Sequence, residues 1–469
     1  MRKGGAAISE PATEVERGLS ELTAWAAGLS FEDIPGEVLR RAALIIADDL
    51  AAIVAARDEP EVACLQRQLL EQISSRQATV FRGGRPRADK YSAAVANAAA
   101  CDWTELDEGY RKATCHAGLY SLPALLAEAE AEGAGAREVL RAAVVAYEVT
   151  TRFSRVWKFP VLDLHPHAIF AAVGAAAAVS ALRNLPGEVF LDALASASTL
   201  VAVGPFDHAV QGALIRNLWP AAGAWNGMRS VDWAQCGVTA LARTPNDVYA
   251  RTFGAEVHPG EFTAGLGREW AVSHGYHKMF ACCQYSHSAV ESALALRAAM
   301  KPDQTSRRIR RILVETHPLG LKLDNYDPPT TLAAKFSLPF IVAAALALGE
   351  AGAPAFSAAR LGDEEIARLR NKVELRLREP QEPWPHDRAA RLTVEFEDGA
   401  TLSRECLSAA GGPDRPFTER QILDKVSLLT RDVYPRLAEE AERLIGLDPT
   451  LLDLRWEELV TLMVIKDGT

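Results

Sequence analysis

Residues 165–182 read HPHAIFAAVGAAAAVSAL, and they indicate the fold class more strongly than any other part of the chain. From Ala168 to Leu182 every residue is small or apolar, and Ser180 carries the run's one hydroxyl. The run is too short and too rich in alanine to cross a bilayer, which takes about 20 apolar residues. Small side chains let neighbouring backbones approach closely. We therefore predict a helix buried among other helices, in a mainly α protein.

Helical patterns extend on both sides of this run, from about residue 12 to residue 265. Residues 34–59, for example, repeat apolar side chains at intervals of three and four, which is the spacing of one helix face. Residues 121–153 predict two helices that are interrupted at Gly133–Gly135, the first of which begins at about Ser121. We predict that residues 1–265 form the first part of a large all-helical domain.

The composition changes after about residue 300, where strand-like sequences surround one helix. Ile312–Thr316 and Val373–Arg378 are typical of strands, and two alternating runs meet at Asp398-Gly399. An Asp-Gly pair between alternating runs is a strong hairpin signal. We predict a smaller α+β domain, inserted over residues 266–400.

The helical pattern returns near the C-terminus. Thr418 is a predicted N-cap, and Gln421 stands in the capping-box position three residues later. We predict that residues 401–469 rejoin the helical domain, which would then be built from both ends of the chain.

The bulk composition places the chain among soluble globular proteins. Its 469 residues are 49% hydrophobic and 24% charged, with a formal net charge of −10. An acidic chain has no electrostatic reason to bind nucleic acid or an anionic membrane. Seven cysteines without regular spacing predict reduced thiols, and the N-terminus lacks the apolar core of a secretory signal. We expect a cytoplasmic protein whose partner is a small molecule.

The first of four segments with candidate chemistry is residues 104–129. Three acidic residues are followed by Arg111, Lys112 and His116, just before a predicted helix; the acidic residues are Glu105, Asp107 and Glu108. A helix N-terminus attracts anions, so a carboxylate-binding loop is one interpretation. The alternative is a solvated, charge-rich loop.

The second and third segments contain His165, His167 and Arg216. The two histidines flank Pro166 at the start of the alanine-rich run. One interpretation is that they are surface residues at a helix entrance, and the other is that they are metal ligands. Because no third ligand stands nearby at a suitable spacing, we predict no metal site. Arg216 lies between apolar residues, where an unpaired charge would be costly to bury. It therefore pairs with a carboxylate of the protein or of a ligand.

The fourth segment, residues 275–296, reads GYHKMFACCQYSHSAVESALAL. Cys282 and Cys283 are adjacent, which fits neither a C-x-x-C redox motif nor a zinc site, so we interpret them as packing residues. Lysine and histidine together suit carboxylate recognition and proton transfer. Lys278 and His287 are therefore predicted pocket residues.

Taken in order, these segments resemble the MmgE/PrpD family, which includes 2-methylcitrate dehydratase, cis-aconitate decarboxylase and iminodisuccinate epimerase. The resemblance covers nearly the whole chain; the stretches that carry it are ANAAACDWTELDEGYRKATCHAG, HPHAIFAAVGAAAA, LIRNLWPAAGAWNG, HKMFACCQYSH and AAKFSLPFIVAAAL. It implies a cofactor-independent homodimeric enzyme, with substrate held between the helical domain and an α+β lid. The positions carried over are His116, His165, Arg216 and Lys278.

The sequence also departs from the family pattern. The family's decarboxylase has aspartate and threonine where Glu105 and Gly109 stand here, and lysine where Arg216 stands. Ala117 stands where the family has a proline after the loop histidine. Tyr326 is near the position of a tyrosine in the lid of the family's decarboxylase, but the match is not secure. These differences leave the substrate open.

The reactions of this family create negative charge on carbon next to a carboxylate, which requires preorganised positive charge. We expect His116 and His165 to act as base and acid in either order, with Glu105 or Asp107 orienting them. Arg216 and Lys278 are expected to hold substrate carboxylates; the further predicted substrate-binding residues are Arg111, Lys112, His287 and Tyr326.

The predicted function is that of a cofactor-independent lyase, a dehydratase or decarboxylase, acting on a small di- or tricarboxylic acid. Two alternatives stay open. One is an epimerase or isomerase of a dicarboxylate, since the same pair of groups could serve that reaction. The other is a catalytically silent homologue that binds a carboxylate or serves as a scaffold.

Overall fold

The computed structural model describes residues 10–72 and 75–464. Within these ranges the α-helices, α1 to α20 in chain order, are Glu10–Gly28, Gly36–Ala55, Pro60–Glu71, Lys90–Trp103, Ala117–Glu132, Ala136–Val156, Pro166–Leu182, Gly187–Ala197, Asp207–Gln211, Trp219–Gln235, His287–Ala298, Pro318–Leu321, Thr331–Lys335, Leu338–Leu348, Ala358–Leu361, Glu364–Arg370, Glu419–Thr430, Leu437–Ile445, Pro449–Leu452 and Trp456–Val464. The strands β1 to β10 are Ala78–Thr79, Arg87–Ala88, Gly109–Tyr110, Trp157–Lys158, Glu256–Val257, Gly275–Tyr276, Ile309–Thr316, Val373–Leu377, Ala390–Phe396 and Thr401–Cys406. This predominance of helix confirms the mainly α prediction.

Helix α7 is the predicted alanine-rich run, and it forms the centre of the helical part. Every residue from Pro166 to Leu182 is buried. The helix packs most extensively against α10, and then against α5 and α6. Its contact with α10 depends on Gly227, where an added Cβ would lie 2.6 Å from the Cβ of Ala175. The sequence prediction of a buried, closely packed helix is confirmed.

A four-stranded sheet forms the β part of the chain, with strand order β10-β9-β7-β8. Strands β7 and β8 are parallel, and the other two pairings are antiparallel. Burial alternates strictly along β9, so one face of this strand meets the core while the other faces outward. Helix α11 packs against β9 and β10. The predicted hairpin at Asp398-Gly399 joins these two strands.

The C-terminal helices lie on the N-terminal ones. Helices α17 and α18 pack against α2, and α20 packs against α5 and α6. Thr418 Oγ1 accepts a hydrogen bond from the backbone N–H of Gln421 at 3.2 Å, and the glutamine side chain returns to the Thr418 N–H, which confirms the capping box. The sheet continues to Cys406, beyond the predicted boundary at residue 400. The division into a helical domain and a lid stays a prediction.

Three further observations differ from the sequence analysis or add to it. Helix α5 begins at Ala117, four residues before the predicted start, and encloses Pro123 in its second turn. All seven cysteines are free. Among the described residues, every helix is too short or too polar to cross a membrane. Residues 1–9, which bear on the predicted lack of a secretory signal, lie outside the described ranges.

Candidate active site

The four segments meet at one cavity. Including its mouth, the cavity holds about 460 Å³ of empty space, a volume suited to a small molecule. Its wall contains residues from all four predicted segments, together with Phe336 and Arg388. The wall residues used below are Glu105, Tyr110, His116, His165, Arg216, Tyr276, Tyr285 and Arg388.

Local structure explains how these side chains reach the cavity. Helix α4 ends at Trp103, and Glu105, two residues later, adopts a left-handed backbone with φ of 56°, a conformation that is costly for a residue with a Cβ. Strand β3 then pairs with β6, which brings the first segment beside the fourth. His116 and His165 are the N-cap residues of α5 and α7. Both histidines therefore stand at helix entrances, as the sequence indicates.

His116 and Asp107 form a hydrogen-bonded pair. His116 Nδ1 lies 2.6 Å from Asp107 Oδ2, and 14% of the histidine side chain is exposed. Burial opposes ionisation of Asp107, but Lys278 and His116 hold the pKa of its carboxyl well below its usual range. The carboxylate therefore directs the Nδ1 proton of His116 toward itself. Nε2 then carries the lone pair, the form that accepts a proton.

Arg216 is buried against carboxylates of the protein, which settles the alternative that the sequence leaves open. Its Nη1 lies 2.7 Å from Asp102 Oδ1 and 2.5 Å from Glu105 Oε1. Burial and these carboxylates act in opposite directions, and the net effect raises the pKa of the guanidinium. Arg216 is thus permanently charged, and within the described part of the chain its Nη2 forms no hydrogen bond.

Lys278 is fully buried and also paired. Its Nζ lies 3.0 Å from Asp107 Oδ1 and 3.5 Å from Glu105 Oε2. Burial disfavours the ammonium form, yet the two carboxylates raise the pKa of Lys278 well above its usual value. Two cations and three carboxylates, including Asp102, therefore form one buried network beneath the cavity.

His165 and His167 are neutral imidazoles. Burial and the Arg216 charge lower the pKa of both rings well below the usual value. The two ring nitrogens of His165 each face an N–H donor at 3.2 Å, one from the backbone of His167 and one from Arg216 Nε. This arrangement opposes a second ring proton. The surface alternative for these histidines is wrong, since both are buried.

The cluster contains one potential set of metal ligands. Ligand atoms of Asp102, Glu105 and His167 lie within 4.8 Å of one another. The guanidinium of Arg216 already contacts both carboxylates, so a metal ion would have to displace it.

Besides Lys278, four residues that the sequence predicts to bind substrate lie outside the cavity wall. Arg111 donates to Asp387 Oδ1 at 2.8 Å, and Lys112 is exposed. His287 is buried, with Nε2 3.1 Å from the carbonyl oxygen of Cys282, and burial lowers its pKa to about 3. Tyr326 is 38% exposed and donates to the Val373 carbonyl. Local partners within the protein contact three of these four side chains, although Arg111 Nη1 is buried without a hydrogen-bond partner among the described residues.

Asp102, Tyr276 and Arg388 lie in or beneath the cavity and are absent from the sequence-based set of site residues. Asp102 stands next to the acidic loop, and its charge could have drawn attention to it. Tyr276 and Arg388 come from parts of the chain far from that loop. Arg388 stacks over Tyr285, with its Cζ 4.8 Å from the ring centroid. Tyr276 lies in the fourth candidate segment, two residues before Lys278, and this position could have indicated it. No local pattern places Arg388 at the cavity, because only the tertiary fold brings it there.

Behind His116, Glu108 is a buried carboxyl with a raised pKa. It accepts hydrogen bonds from the Gly118 N–H at 2.6 Å and from Tyr147 Oη at 2.8 Å. Burial is the largest cause, aided by the charges of Asp107 and Asp48, and the pKa rises to about 8 from an ordinary 4.5. The folded state therefore keeps a proton at neutral pH that the unfolded state releases.

This difference makes stability depend on pH. Between pH 4.5 and about 8 the native state binds more protons at Glu108 than the unfolded state does. The contribution of Glu108 to the free energy of unfolding therefore falls by about 1.4 kcal/mol for each pH unit in this range. Below pH 4.5 both states are protonated and the penalty disappears. We expect Glu108→Gln to gain stability relative to wild type as the pH rises from 5 to 8. Urea unfolding at four pH values measures this difference in stability between variant and wild type. For the control Glu350→Gln, at an exposed position, the difference should stay constant. A constant difference for Glu108→Gln would refute the assignment.

Comparison with known proteins identifies the family of the chain. The MmgE/PrpD N-terminal domain matches residues 20–256, and the MmgE/PrpD C-terminal domain matches residues 280–448. The chain is 26% identical over 466 residues to the cis-aconitate decarboxylase-like protein oryM of Aspergillus oryzae, covering 93% of this chain and 94% of that protein. It is also 26% identical over 469 residues to the cis-aconitate decarboxylase of Aspergillus terreus, covering 92% and 93% of the two chains. Because the two domain matches together span most of its length, the chain belongs to the MmgE/PrpD family.

Proposed function

We propose that this protein is a cofactor-independent lyase that removes or delivers a proton next to a carboxylate of a small di- or tricarboxylic acid. One observation carries the proposal: His116 at the cavity wall is held by the ionised Asp107, 2.6 Å away. A carboxylate that fixes a histidine in this way also stabilises the imidazolium that forms when the ring accepts a proton. Positioned histidines contribute about 10²–10⁴-fold to such reactions.

The charges around the cavity suit a carboxylate substrate. Arg216 has Nη2 free of hydrogen bonds to the described residues, and Arg388 adds a second positive charge at the wall. In the proposed reaction His116 Nε2 takes a proton from carbon. The electron pair left behind delocalises onto the neighbouring carboxylate, where the guanidinium of Arg216 meets it. Because Lys278 is already paired with Asp107 and Glu105, its proposed role is to keep those carboxylates ionised and in place.

His165 enters the proposal as a positioning residue. Its neutral ring, packed between the His167 N–H and Arg216 Nε, orients the guanidinium. This differs from the sequence-based hypothesis that His165 shares proton transfer with His116.

The names of the two Aspergillus relatives support a decarboxylase. The departures at Glu105, Gly109 and Arg216 from the pattern of the family's decarboxylase instead support a different substrate. We propose the broader lyase class, with dehydration and decarboxylation as its two branches. The homodimer and the cytoplasmic location implied at the sequence level stay predictions.

A substrate panel tests the reaction class. Purified protein is incubated separately with 2-methylcitrate, citrate, cis-aconitate and iminodisuccinate, and the products are followed by NMR with trapping of released carbon dioxide. We expect one tricarboxylate to lose water or carbon dioxide. Racemisation of iminodisuccinate without a new alkene would instead identify an epimerase. Binding of a panel member, seen as a thermal shift without any reaction, would identify a catalytically silent homologue.

A further inference from the structure

Tyr276 fills the space that a side chain at position 109 would occupy. The two residues are directly opposite each other in the β3–β6 pair. A Cβ added at Gly109 would lie 2.7 Å from Tyr276 Cε1, and closer still to Cζ and Oη. Gly109 does not have a positive φ, so its backbone conformation alone would allow other residues. Glycine is therefore needed at this position to make room for the tyrosine.

Tyr276 lines the cavity beside His116. The rings of Tyr276 and His116 are nearly perpendicular, with centroids 6.3 Å apart, and both line the cavity. Among the described residues, no protein group forms a hydrogen bond with Tyr276 Oη. The hydroxyls of Tyr110 and Tyr285, two other tyrosines of the wall, are sealed in the interior, whereas that of Tyr276 retains access to the cavity. A phenol with space reserved for it and no protein partner points to a ligand.

The surroundings keep this phenol protonated. Burial is the largest cause that raises the pKa of Tyr276 above its usual value, and nearby Asp107 and Glu108 act in the same direction. Lys278 and Arg388 oppose them without reversing the shift. At neutral pH Tyr276 is therefore a hydrogen-bond donor and not a base.

We propose that Tyr276 Oη donates a hydrogen bond to the substrate carboxylate oxygen that gains negative charge when His116 takes the proton from carbon. The tyrosine keeps its own proton throughout. In dehydration the electron pair forms the new double bond as hydroxide leaves, and the protonated His116 gives its proton to the hydroxide, which departs as water. In simple exchange the electron pair returns to carbon, which takes a proton back from His116. This inference rests on the proposed function and adds the group that would stabilise its charged intermediate. It makes Tyr276 a catalytic residue, placed on the same wall as His116.

Tyr276→Phe tests the hydrogen bond, because it removes the hydroxyl and keeps the ring that packs on Gly109. Loss of one donor to a developing oxyanion costs about 10²–10³-fold in kcat. We expect kcat and kcat/KM for the panel substrate to fall together by about 10²-fold, with little change in KM and an unchanged pH profile. The matched control is Tyr91→Phe, whose hydroxyl bonds Asp232 away from the cavity. It should retain wild-type kinetics.

Gly109→Ala provides a second variant, because its methyl group must displace the tyrosine. If the loss in Gly109→Ala comes from the displaced hydroxyl, adding this change to Tyr276→Phe should cost much less than it costs in wild type. Equal costs in both backgrounds, or wild-type kcat in Tyr276→Phe, would overturn the role of Tyr276 and leave the proposed function intact.

The two failures are distinguishable. If wild type turns over no panel member, the proposed function is overturned and the role of Tyr276 falls with it, because no charged intermediate forms. If wild type reacts and Tyr276→Phe reacts equally fast, only the role of Tyr276 is overturned.

Discussion

Replacing His116 with asparagine is expected to reduce kcat/KM by about 10²–10⁴-fold. Asparagine can still bond Asp107, which lies 2.6 Å from His116 Nδ1 in wild type, so the fold should be preserved. It cannot accept a proton from carbon at neutral pH. The loss should therefore appear mainly in kcat, measured by the rate of product formation from the panel substrate.

The control for this variant is His258→Asn. The His258 side chain is 48% exposed and does not line the cavity, so its replacement should leave kcat/KM unchanged. Loss of a general base should leave no more than about a hundredth of the activity. If His116→Asn retained more than about a tenth of wild-type activity, the assignment of His116 would be wrong.

Replacing Lys278 with methionine is expected to lower the free energy of unfolding by about 3–5 kcal/mol, the range typical of a buried ion pair that loses one partner. Lys278 is the cation between Asp107 and Glu105, at 3.0 and 3.5 Å, and it is fully buried. Methionine has a similar length, so packing changes little. The two carboxylates would lose their common counter-charge in an environment that does not solvate them.

Urea unfolding at pH 7 measures this effect. The matched control is Lys112→Met, at an exposed position, which should change stability by less than about 0.5 kcal/mol. Adding Asp107→Asn to Lys278→Met should recover part of the loss, because one of the unpaired charges is then removed. A loss below about 1 kcal/mol, the scale of an exposed ion pair, would contradict the view that Lys278 holds this network together.

Much of the fold follows from local sequence signals. The run from Ala168 to Leu182 predicts its own burial because it contains almost no polar group. The capping box at Thr418 and the hairpin at Asp398-Gly399 have local causes, and both are observed. The predicted start of α5 is wrong by four residues. Pro123 resembles a proline in the first turn of a helix, yet it lies further inside α5.

The site could be predicted less completely. The sequence indicates which segments carry acids, bases and histidines, but it does not show which charges meet. Arg216 pairs with Asp102, which is 114 residues away in the chain, and this pairing depends on the contact of α10 with α4 and α7. The reservation of space for Tyr276 by Gly109 is likewise a property of the β3–β6 pair. Such contacts are tertiary, and no spacing along the chain encodes them.

The most direct test of the central claim is proton NMR of the protein with its panel substrate in deuterated water. If His116 transfers protons at carbon next to a carboxylate, wild type should introduce deuterium at that carbon, and His116→Asn should introduce it at least about 10²-fold more slowly. Tyr276→Phe should slow it as well. Deuterium entering equally fast with His116→Asn, or equally fast turnover by that variant, would contradict the account.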